Sequence, residues 1–417
     1  MDTKATLAAP ADPINALVAL IHGKLPKAQA AEAAEFARQY YGQEAPEDLA
    51  TQTVADLYGA ALSHWQFART FAGGAPKLRV YNPRPDEHGW QSTHTVVEIV
   101  NDDMPFLVDS IAMEVNRQGL TMHLINHPVM KIRRDAAHHL IGLARSRDEP
   151  QGRFESLIHV EVDRRTEPAT LDALQNGLIN ILRNVRVAVS DWKVMRQKVL
   201  ETVAKLESQA LPATIDDATE DIAFLRWLAE GNFTLLGYRD YDLVTEADVG
   251  DSLRVVAGSG LGILREGGDG ASPTGHAGSS VPAGPTASAS FAALPAELRA
   301  RAHEPRLLVL TKSTNRSTVH RPGYLDFVGV KRFDAQGQVA GEQRFVGLYT
   351  SSAYSTSPSA IPILRRKSEH VLEEGMVLAL EPHVNFWHVQ DMVLVTKGAP
   401  VLLSPKFDTD QAFVADA

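Results

Sequence analysis

The clearest hydrophobic pattern in the chain runs from His94 to Ile132 and predicts a strand, a turn, a helix and a second strand. Residues 95–100 are mostly β-branched and apolar, which is typical of a buried strand. The Asn and Asp residues at 101–103 favour a turn, and the helix that follows carries apolar residues at four-residue spacing. Gly119 should end this helix, because glycine accepts the left-handed conformation of a C-cap. The apolar face of the helix comprises Leu107, Ile111 and Val115.

A second strand and helix follow this unit. Alternating apolar residues predict a strand from about Glu155 to Asp163, and a long amphipathic helix comes after it. Two strand-and-helix halves with a hairpin between them give the βαββαβ order of a ferredoxin-like fold, an antiparallel sheet with two helices on one face. We therefore predict an α+β domain at residues 76–192. The apolar positions of its second helix are Leu171, Leu174, Leu178, Leu182 and Val185.

The rest of the chain divides into further segments. Amphipathic stripes predict three helices within an N-terminal helical region, residues 1–75. A connecting helix and linker are expected at 193–220, and a second α+β domain with antiparallel hairpins at 221–369. Within it, Gly, Ala, Ser, Pro and Thr dominate about 264–292 and predict a disordered insert, because such a stretch buries too little surface to offset its ordering entropy. Residues 370–417 should form a short β-rich tail.

Composition narrows the class of protein. The 417 residues are 44% hydrophobic and 22% charged, which is ordinary globular usage. A net charge of -10 argues against nucleic acid or an anionic membrane as a partner. Cysteine is absent, so disulfides, thiolate nucleophiles and zinc-thiolate sites are excluded. No apolar run is long enough to span a membrane and no signal-peptide core is seen, so a cytoplasmic location is expected.

Specific blocks of sequence resemble the N-terminal, ACT-type region of the large bacterial NAD-dependent glutamate dehydrogenases. The first is EIVNDDMPFLVDS at 98–110, continued by NRQGL at 116–120 and HPV at 127–129. The resemblance covers about residues 40–370. Further blocks lie at 45–49, 56–65, 224–228, 233–243, 316–322, 328–333 and 357–367.

This resemblance implies a role without catalysis by this chain. In the family, glutamate is oxidised to 2-oxoglutarate with NAD by catalytic and nucleotide-binding domains that lie C-terminal to the region matched here. The resemblance therefore implies a regulatory or oligomerisation region that binds no cofactor itself. Such a region would set the oligomeric state by self-association through ACT-like domains, or would sense an amino-acid effector. The run Gly258-Ser259-Gly260-Leu261-Gly262 does not predict a dinucleotide site, because Glu266 and a further glycine run follow too soon for the helix that such a loop requires.

The candidate effector site is the bend between the first strand and helix, where ACT domains commonly bind an amino acid. In that family the bend contains Asp, any residue, Pro and then Gly. This chain keeps Asp103 and Pro105 but has Phe106 in the place of the glycine. A carboxylate can approach the helix N-terminus where the backbone is bare, as it is at a glycine. The phenyl ring of Phe106 covers this position, and the neighbouring acids repel a carboxylate, so we predict weak or absent binding of an amino acid. The candidate residues are Asn101, Asp102, Asp103, Met104 and Phe106.

A group of basic residues in the second domain predicts an anion site for a carboxylate or phosphate. The alternative, which is the more common outcome, is that these charges line a solvated hairpin face or a contact between domains. The candidate residues are Lys312, Arg316, Arg321 and Lys331, with His320 beside them.

The tail resembles a different family. Residues 373–382 and 387–396 are similar to the C-terminal strands of pita-bread metallopeptidases of the Xaa-Pro dipeptidase and creatinase kind. Glu381 matches a metal ligand there, but Gln390 replaces the bridging glutamate, and an amide cannot supply the charge of a two-metal site. The alternative function is thus a metal-dependent aminopeptidase or dipeptidase, expected to be inactive. The family that the sequence resembles changes near His370. We expect this position to join a truncated dehydrogenase region to a peptidase fragment, either by gene fusion or as a built chimera.

Overall fold

The computed structural model describes residues 12–208, 211–212, 215, 218–246, 250–265 and 304–350, together with five short strands between 377 and 402. Within these ranges the chain is a mixed α+β protein built from helices and antiparallel sheets, as the sequence predicted. The predicted insert at 264–292, apart from its first two residues, and most of the predicted tail lie outside the described residues. No helix in the described ranges is both long enough and apolar enough to cross a membrane.

Four helices precede the first sheet. The sequence predicted three of them, and the additional helix is only five residues long. Asp12 caps the first helix by accepting the N–H of Ile14, and Thr53 caps the fourth by accepting the N–H of Asp56. The helices are α1 (Pro13–Lys24), α2 (Lys27–Tyr40), α3 (Pro46–Ala50) and α4 (Val54–Ala68).

The first sheet has six strands and is antiparallel throughout. The elements are β1 (Lys77–Tyr81), α5 (Pro85–His88), β2 (Thr95–Asp102), α6 (Leu107–Arg117), β3 (Met122–Asn126), β4 (Val129–Arg134), β5 (Leu140–Leu143) and the central β6 (Arg153–Val162). The central strand of the sheet, β6, pairs on one side with β2 along eight residues. On the other side it pairs with two shorter strands, β3 and β4, which lie end to end. The strand order is β1-β2-β6-β4-β5, with β3 also paired to β6.

Two details of this sheet differ from the predicted βαββαβ order. The strand predicted at residues 120–132 is broken into β3 and β4 at Pro128, because proline has no N–H to donate to a ladder. The edge position beside β2 is occupied by β1, which precedes β2 in the chain, whereas the predicted order gives this edge to a strand after the second helix. Which strand occupies this edge depends on pairing between distant segments, and the local periodicity of the sequence contains no information about it.

A single helix, α7 (Pro168–Ser208), connects the first sheet to the rest of the protein. The sequence predicted two helices here, one through Val185 and a connecting helix within 193–220. The structure has one helix of 41 residues, because no Gly or Pro occurs after Gly177 to interrupt it. Its N-terminal half packs with α6 on the first sheet, and its C-terminal half packs on the second sheet.

The second sheet is also antiparallel and six-stranded. Its strand order is β10-β11-β12-β7-β8, with β9 paired to β7. The predicted hairpin is present: β11 and β12 pair around a turn in which the Gly337 N–H donates to the Asp334 carbonyl. The elements are α8 (Thr219–Trp227), a π-type turn (Leu228–Asn232), β7 (Phe233–Glu246), β8 (Gly250–Val255), β9 (Leu261–Gly262), β10 (Leu308–Arg316), β11 (Tyr324–Phe333) and β12 (Val339–Tyr349).

Three large apolar cores hold these layers together. The first lies between α1, α2 and α4 and one face of the first sheet, and the third lies between α7, α8 and the second sheet. The second core joins the other face of the first sheet to α6 and α7. It also contains Leu236, Leu325, Val346 and Leu348 of the second sheet and Val319 of the loop between β10 and β11. The tail strands are β13 (Val377–Leu380), β14 (His383–Val384), β15 (Trp387–His388), β16 (Asp391–Leu394) and β17 (Val401–Leu402).

Candidate functional site

The bend between β2 and α6 carries an unusual backbone at Phe106. This residue precedes α6 with φ 73° and ψ 4°, the left-handed region that normally favours glycine. The family pattern has glycine at this place, so the chain keeps the glycine-type conformation and adds a phenyl ring. The ring packs on the imidazole of His320 with centroids 4.8 Å apart, and the bend is therefore covered by a side chain.

The last two residues of β2, which lead into the bend, are bonded by a residue of α7. Arg186 donates to the Asn101 Oδ1 atom and to the Asp102 Oδ2 atom, each at 2.7 Å. The Gly74 N–H donates to the same Asp102 oxygen at 2.9 Å. Burial acts to raise the pKa of Asp102, but the hydrogen bonds from Gly74 and Arg186 outweigh it and hold this pKa below its usual value. Both side chains are thus occupied by protein partners.

Asp103 faces a different neighbour. Its carboxylate accepts the Ser156 hydroxyl at 2.8 Å, and its N–H donates to the Phe154 carbonyl at 3.1 Å. Burial lowers the pKa of the adjacent His127, and the charge of Asp103 opposes that effect. Met104 lies partly buried against the second core. The five predicted effector residues therefore lie at the end of β2 and in the bend that follows it, and those with polar side chains form hydrogen bonds within the protein.

A loop of the second sheet docks on this bend. His320 also has a positive φ, 74°, and its N–H donates to the Ser110 hydroxyl of α6 at 3.2 Å. Asn184 of α7 donates to the Thr318 hydroxyl of the same loop at 3.1 Å. Burial lowers the pKa of His320, while Asp109, 3.7 Å from its Nδ1 atom, acts in the opposite direction. The bend is therefore a junction between the two sheets.

An apolar cavity of about 390 Å³ adjoins the junction. Phe106 lies in its wall with residues of α7, the π-type turn and β7. The sequence analysis missed the residues that complete this region: Arg186, His320 as a packing partner, Trp192 and Arg196. Arg186 has a recognisable signal, because it is a charged residue directly beside the apolar stripe of α7. The lining residues are Pro105, Phe106, Ala188, Val189, Trp192, Arg196, Leu228, Ala229, Glu230, Gly231, Phe233, Thr234 and Leu235.

The basic residues of the candidate anion site each contact another group of the protein. Lys312 bonds to Asp326 at 2.6 Å, and Lys331 is buried and donates to the Glu304 carbonyl at 2.7 Å. Their positions on the β10–β11 ladder are about five residues apart, roughly 17 Å along a strand. Arg316 stacks over the Tyr324 ring, and Arg321 donates to the Tyr349 carbonyl. All four side chains thus contact groups on or near the hairpin, and the anion site stays a prediction.

Comparison with known proteins identifies the relatives of this chain. Residues 36–178 match the family described as glutamate dehydrogenase, ACT1 domain. The chain is 40% identical to the NAD-specific glutamate dehydrogenase of Halomonas elongata over 357 residues, which is 85% of this chain and 21% of that protein. It is 35% identical to the Pseudomonas aeruginosa enzyme of the same name over 346 residues, 82% of this chain and 20% of that protein.

This chain is similar to one region of these dehydrogenases. A more distant relative, the NAD-specific glutamate dehydrogenase of Mycobacterium tuberculosis, is 24% identical over 314 residues. The chain spans about a fifth of the length of these relatives. The resemblance of the tail to metallopeptidases receives no support from the comparisons.

The remaining candidates are the metal ligand of the tail and the glycine run at 258–262. Glu381 and Gln390 lie outside the described residues. Across the described ranges, no group of three or more His, Asp or Glu residues could hold a metal ion. The glycine run at 258–262 forms a turn and β9, and the Gly262 N–H donates to Asp191 at 2.7 Å. A Cβ at Gly262 would lie 2.1 Å from the Leu236 carbonyl, so this glycine is needed for close packing.

Proposed function

We propose that this chain forms a non-catalytic N-terminal region of an NAD-dependent glutamate dehydrogenase, with a role in regulation and assembly. In this proposal, oxidation of glutamate to 2-oxoglutarate and binding of NAD belong to other parts of the whole protein. Similarity to three NAD-specific glutamate dehydrogenases over about a fifth of their length supports the family. The ACT1-domain match supports a regulatory role.

The main support for this proposal is the set of contacts that the β2–α6 bend makes with α7 and with a loop of the second sheet. Arg186, Gly74 and Ser156 satisfy the polar groups of the bend, and Phe106 packs on a loop of the second sheet. A free amino acid would have to displace these partners to bind there. We infer that the bend couples the two sheets, so that a change in one is transmitted to the other, and that it binds amino acids weakly.

The proposed partners follow from charge and fold. Self-association through the ACT-like domain is the proposed mode of assembly. The net charge of -10 supports the absence of nucleic acid and anionic membranes among the partners. A cytoplasmic location suits a chain without cysteine.

Two measurements on the purified chain test this function. Absorbance at the NADH band should not rise when glutamate and NAD are added, and measurable NADH formation would refute the non-catalytic role. Calorimetry with a panel of amino acids should give no dissociation constant below about 100 μM, an affinity worth about 5.5 kcal/mol. Binding tighter than this that is abolished by Asp103→Ala, and kept by the exposed control Asp148→Ala, would show that the bend is an effector site.

A further inference from the structure

The apolar cavity beside the junction has the size of a small-molecule site. Its volume of about 390 Å³ lies within the range of roughly 300–1,000 Å³ that is usual for ligand pockets. Its floor consists of buried apolar side chains from α7, the π-type turn and β7. Water gains no hydrogen bond from such side chains, so the floor favours an apolar group. The floor residues are Ala188, Leu228, Phe233 and Leu235.

The mouth of the cavity, in contrast, carries charge and is exposed to solvent. Trp192 of α7 is 47% exposed, and Arg196, one turn further along the helix, is exposed as well. Glu230 and Gly231 are the exposed lining residues of the π-type turn. Turns of this type often occur at functional sites. An apolar floor below a charged mouth fits an amphipathic ligand whose charged group stays near water.

Arg196 is held in position at this mouth. Its Nε–H donates to the Ala229 carbonyl of the π-type turn at 2.7 Å, which fixes the guanidinium group relative to the cavity wall. Among the described residues, its two terminal nitrogens make no hydrogen bond or ion pair. Two such nitrogens can bind both oxygens of one carboxylate. Because the group is already fixed, binding an anion there costs little additional side-chain entropy.

Glu230 is the other charged residue of the cavity wall, and it has no comparable support. Its side chain is exposed and forms no hydrogen bond or ion pair within the part of the chain that the structure describes. An ammonium group that paired with it would have to order this side chain and would gain a contact that solvent screens. The fixed cation, Arg196, therefore determines the charge that a ligand should carry.

We propose that this cavity binds a monocarboxylate with a short apolar tail, an aliphatic acid in its ionised form. The carboxylate pairs with the terminal nitrogens of Arg196, and the tail lies on the apolar floor beside the rings of Phe233 and Trp192. Phe106 belongs to the same wall, so the ligand lies beside the junction between the two sheets. This site does not depend on the proposed function, since it requires neither NAD nor glutamate.

Calorimetry with three ligands of one chain length tests the charge requirement. The ligands are hexanoate, hexan-1-ol and hexan-1-amine, whose charges at neutral pH are −1, 0 and +1. Hexanoate should bind the purified chain with a dissociation constant of about 1 mM or tighter. Hexan-1-ol should bind about fivefold more weakly or worse, and the amine more weakly still. Equal binding of all three, tighter binding of the amine, or no binding of hexanoate at about 10 mM would overturn the proposal.

A pair of arginine variants locates the carboxylate. Arg196→Gln keeps a side-chain N–H for the Ala229 carbonyl but removes the charge, so it should weaken hexanoate by about fivefold or more and leave hexan-1-ol unchanged. Arg183→Gln makes the same change at an exposed position of α7 about 20 Å away and should leave both affinities unchanged. Unchanged hexanoate affinity in Arg196→Gln, or an equal loss of hexanoate and hexan-1-ol, would refute the pairing.

The indole at the mouth reports where the tail lies. Because Trp192 lines the cavity, hexanoate should change the tryptophan emission of the parent chain. Trp192→Phe should abolish this change, while calorimetry still detects binding. Trp227→Phe removes an indole that does not line the cavity and should keep the change. An emission change that persists in Trp192→Phe would place hexanoate elsewhere and refute this site.

Discussion

At the scale of single residues, the junction between the sheets is marked by backbone conformations that side chains rarely adopt. Among the described residues, Phe106, His138 and His320 are the non-glycine residues with a positive φ, and two of these three pack on each other. A left-handed residue with a Cβ costs on the order of 1 kcal/mol or more, and surrounding contacts must compensate for it. The ring contact and the second core supply that compensation, so the strain is located where the two sheets meet.

Replacing Phe106 separates the backbone strain from the ring contact. Both Phe106→Gly and Phe106→Ala lose the packing of the ring on His320, but only glycine relieves the left-handed backbone. We expect the glycine variant to be the more stable of the two by about 1 kcal/mol, which reverses the usual order of Ala and Gly. Urea denaturation of both variants measures this difference. A more stable alanine variant would show that the backbone at this position is not strained.

Buried His64 predicts a dependence of stability on pH. The Ile99 carbonyl only accepts, so the His64 Nε2–H donates to it at 3.1 Å and Nδ1 accepts the Tyr40 hydroxyl at 3.0 Å, an arrangement of the neutral ring. Burial lowers the pKa of His64 from 6.5 to about 4. The unfolded chain therefore binds more protons in this range, and stability should fall as pH decreases from 6.5 to 4, by about 3 kcal/mol from this residue.

The variant His64→Gln tests this dependence, because an amide does not titrate. Urea denaturation at several pH values between 6.5 and 4 should show a smaller fall in the free energy of unfolding than in the parent chain. His22→Gln, at an exposed position of α1, is the control and should keep the full dependence. An identical pH dependence in His64→Gln and the parent would contradict the assignment.

At the scale of elements, local patterns predicted the parts of the fold that depend on nearby residues. The β11–β12 hairpin around Asp334 and Gly337 is encoded by adjacent turn residues and is present. The turn predicted at 101–103 lies further along the chain, because Asn101 and Asp102 pair with β6 as the last residues of β2. The edge strand β1 and the pairing of Arg186 with Asp102 depend on segments about 20 and 84 residues apart, and no local pattern contains them. The residues of the bend itself could be predicted because they are adjacent in the sequence. The residues that cover the bend, Arg186 and His320, could not, because they come from α7 and from a loop of the second sheet.

A glycine inside α7 tests how closely two helices pack. A Cβ at Gly177 would lie 1.9 Å from the Glu114 Oε1 atom of α6, and Glu114 is a buried carboxylate that bonds to Arg117 and Gln118. Gly177→Ala should displace this carboxylate and destabilise the chain by about 1–2 kcal/mol, although alanine is the better helix former. Gly23→Ala is the matched control, because nothing lies within 4 Å of a Cβ at that position of α1. It should be neutral or stabilising in the same thermal denaturation, and equal effects of the two substitutions would count against the predicted clash.

At the scale of the whole molecule, the two sheets share structure in two ways. The helix α7 continues through both, and the second core contains residues from each sheet. Val319 is buried in this core and belongs to the loop that docks on the bend. Unfolding of either sheet would expose the apolar residues that the other sheet contributes to this core. We therefore expect the two sheets to unfold together.

Tryptophan reporters on each side of the junction measure this cooperativity. Trp65 packs in the first core and Trp227 against the third, so variants that retain one or the other report on the two sheets separately. Their urea transitions should coincide in the parent chain. Val319→Asp places an unpaired charge in the shared core, at a cost of about 3 kcal/mol or more, and should move the Trp227 transition to lower urea than the Trp65 transition. Val194→Asp makes the same chemical change at an exposed position of α7 and should leave the transitions coincident. If the transitions already differ in the parent chain, or still coincide in Val319→Asp, then the junction does not couple the sheets and the regulatory role proposed for it loses its structural basis.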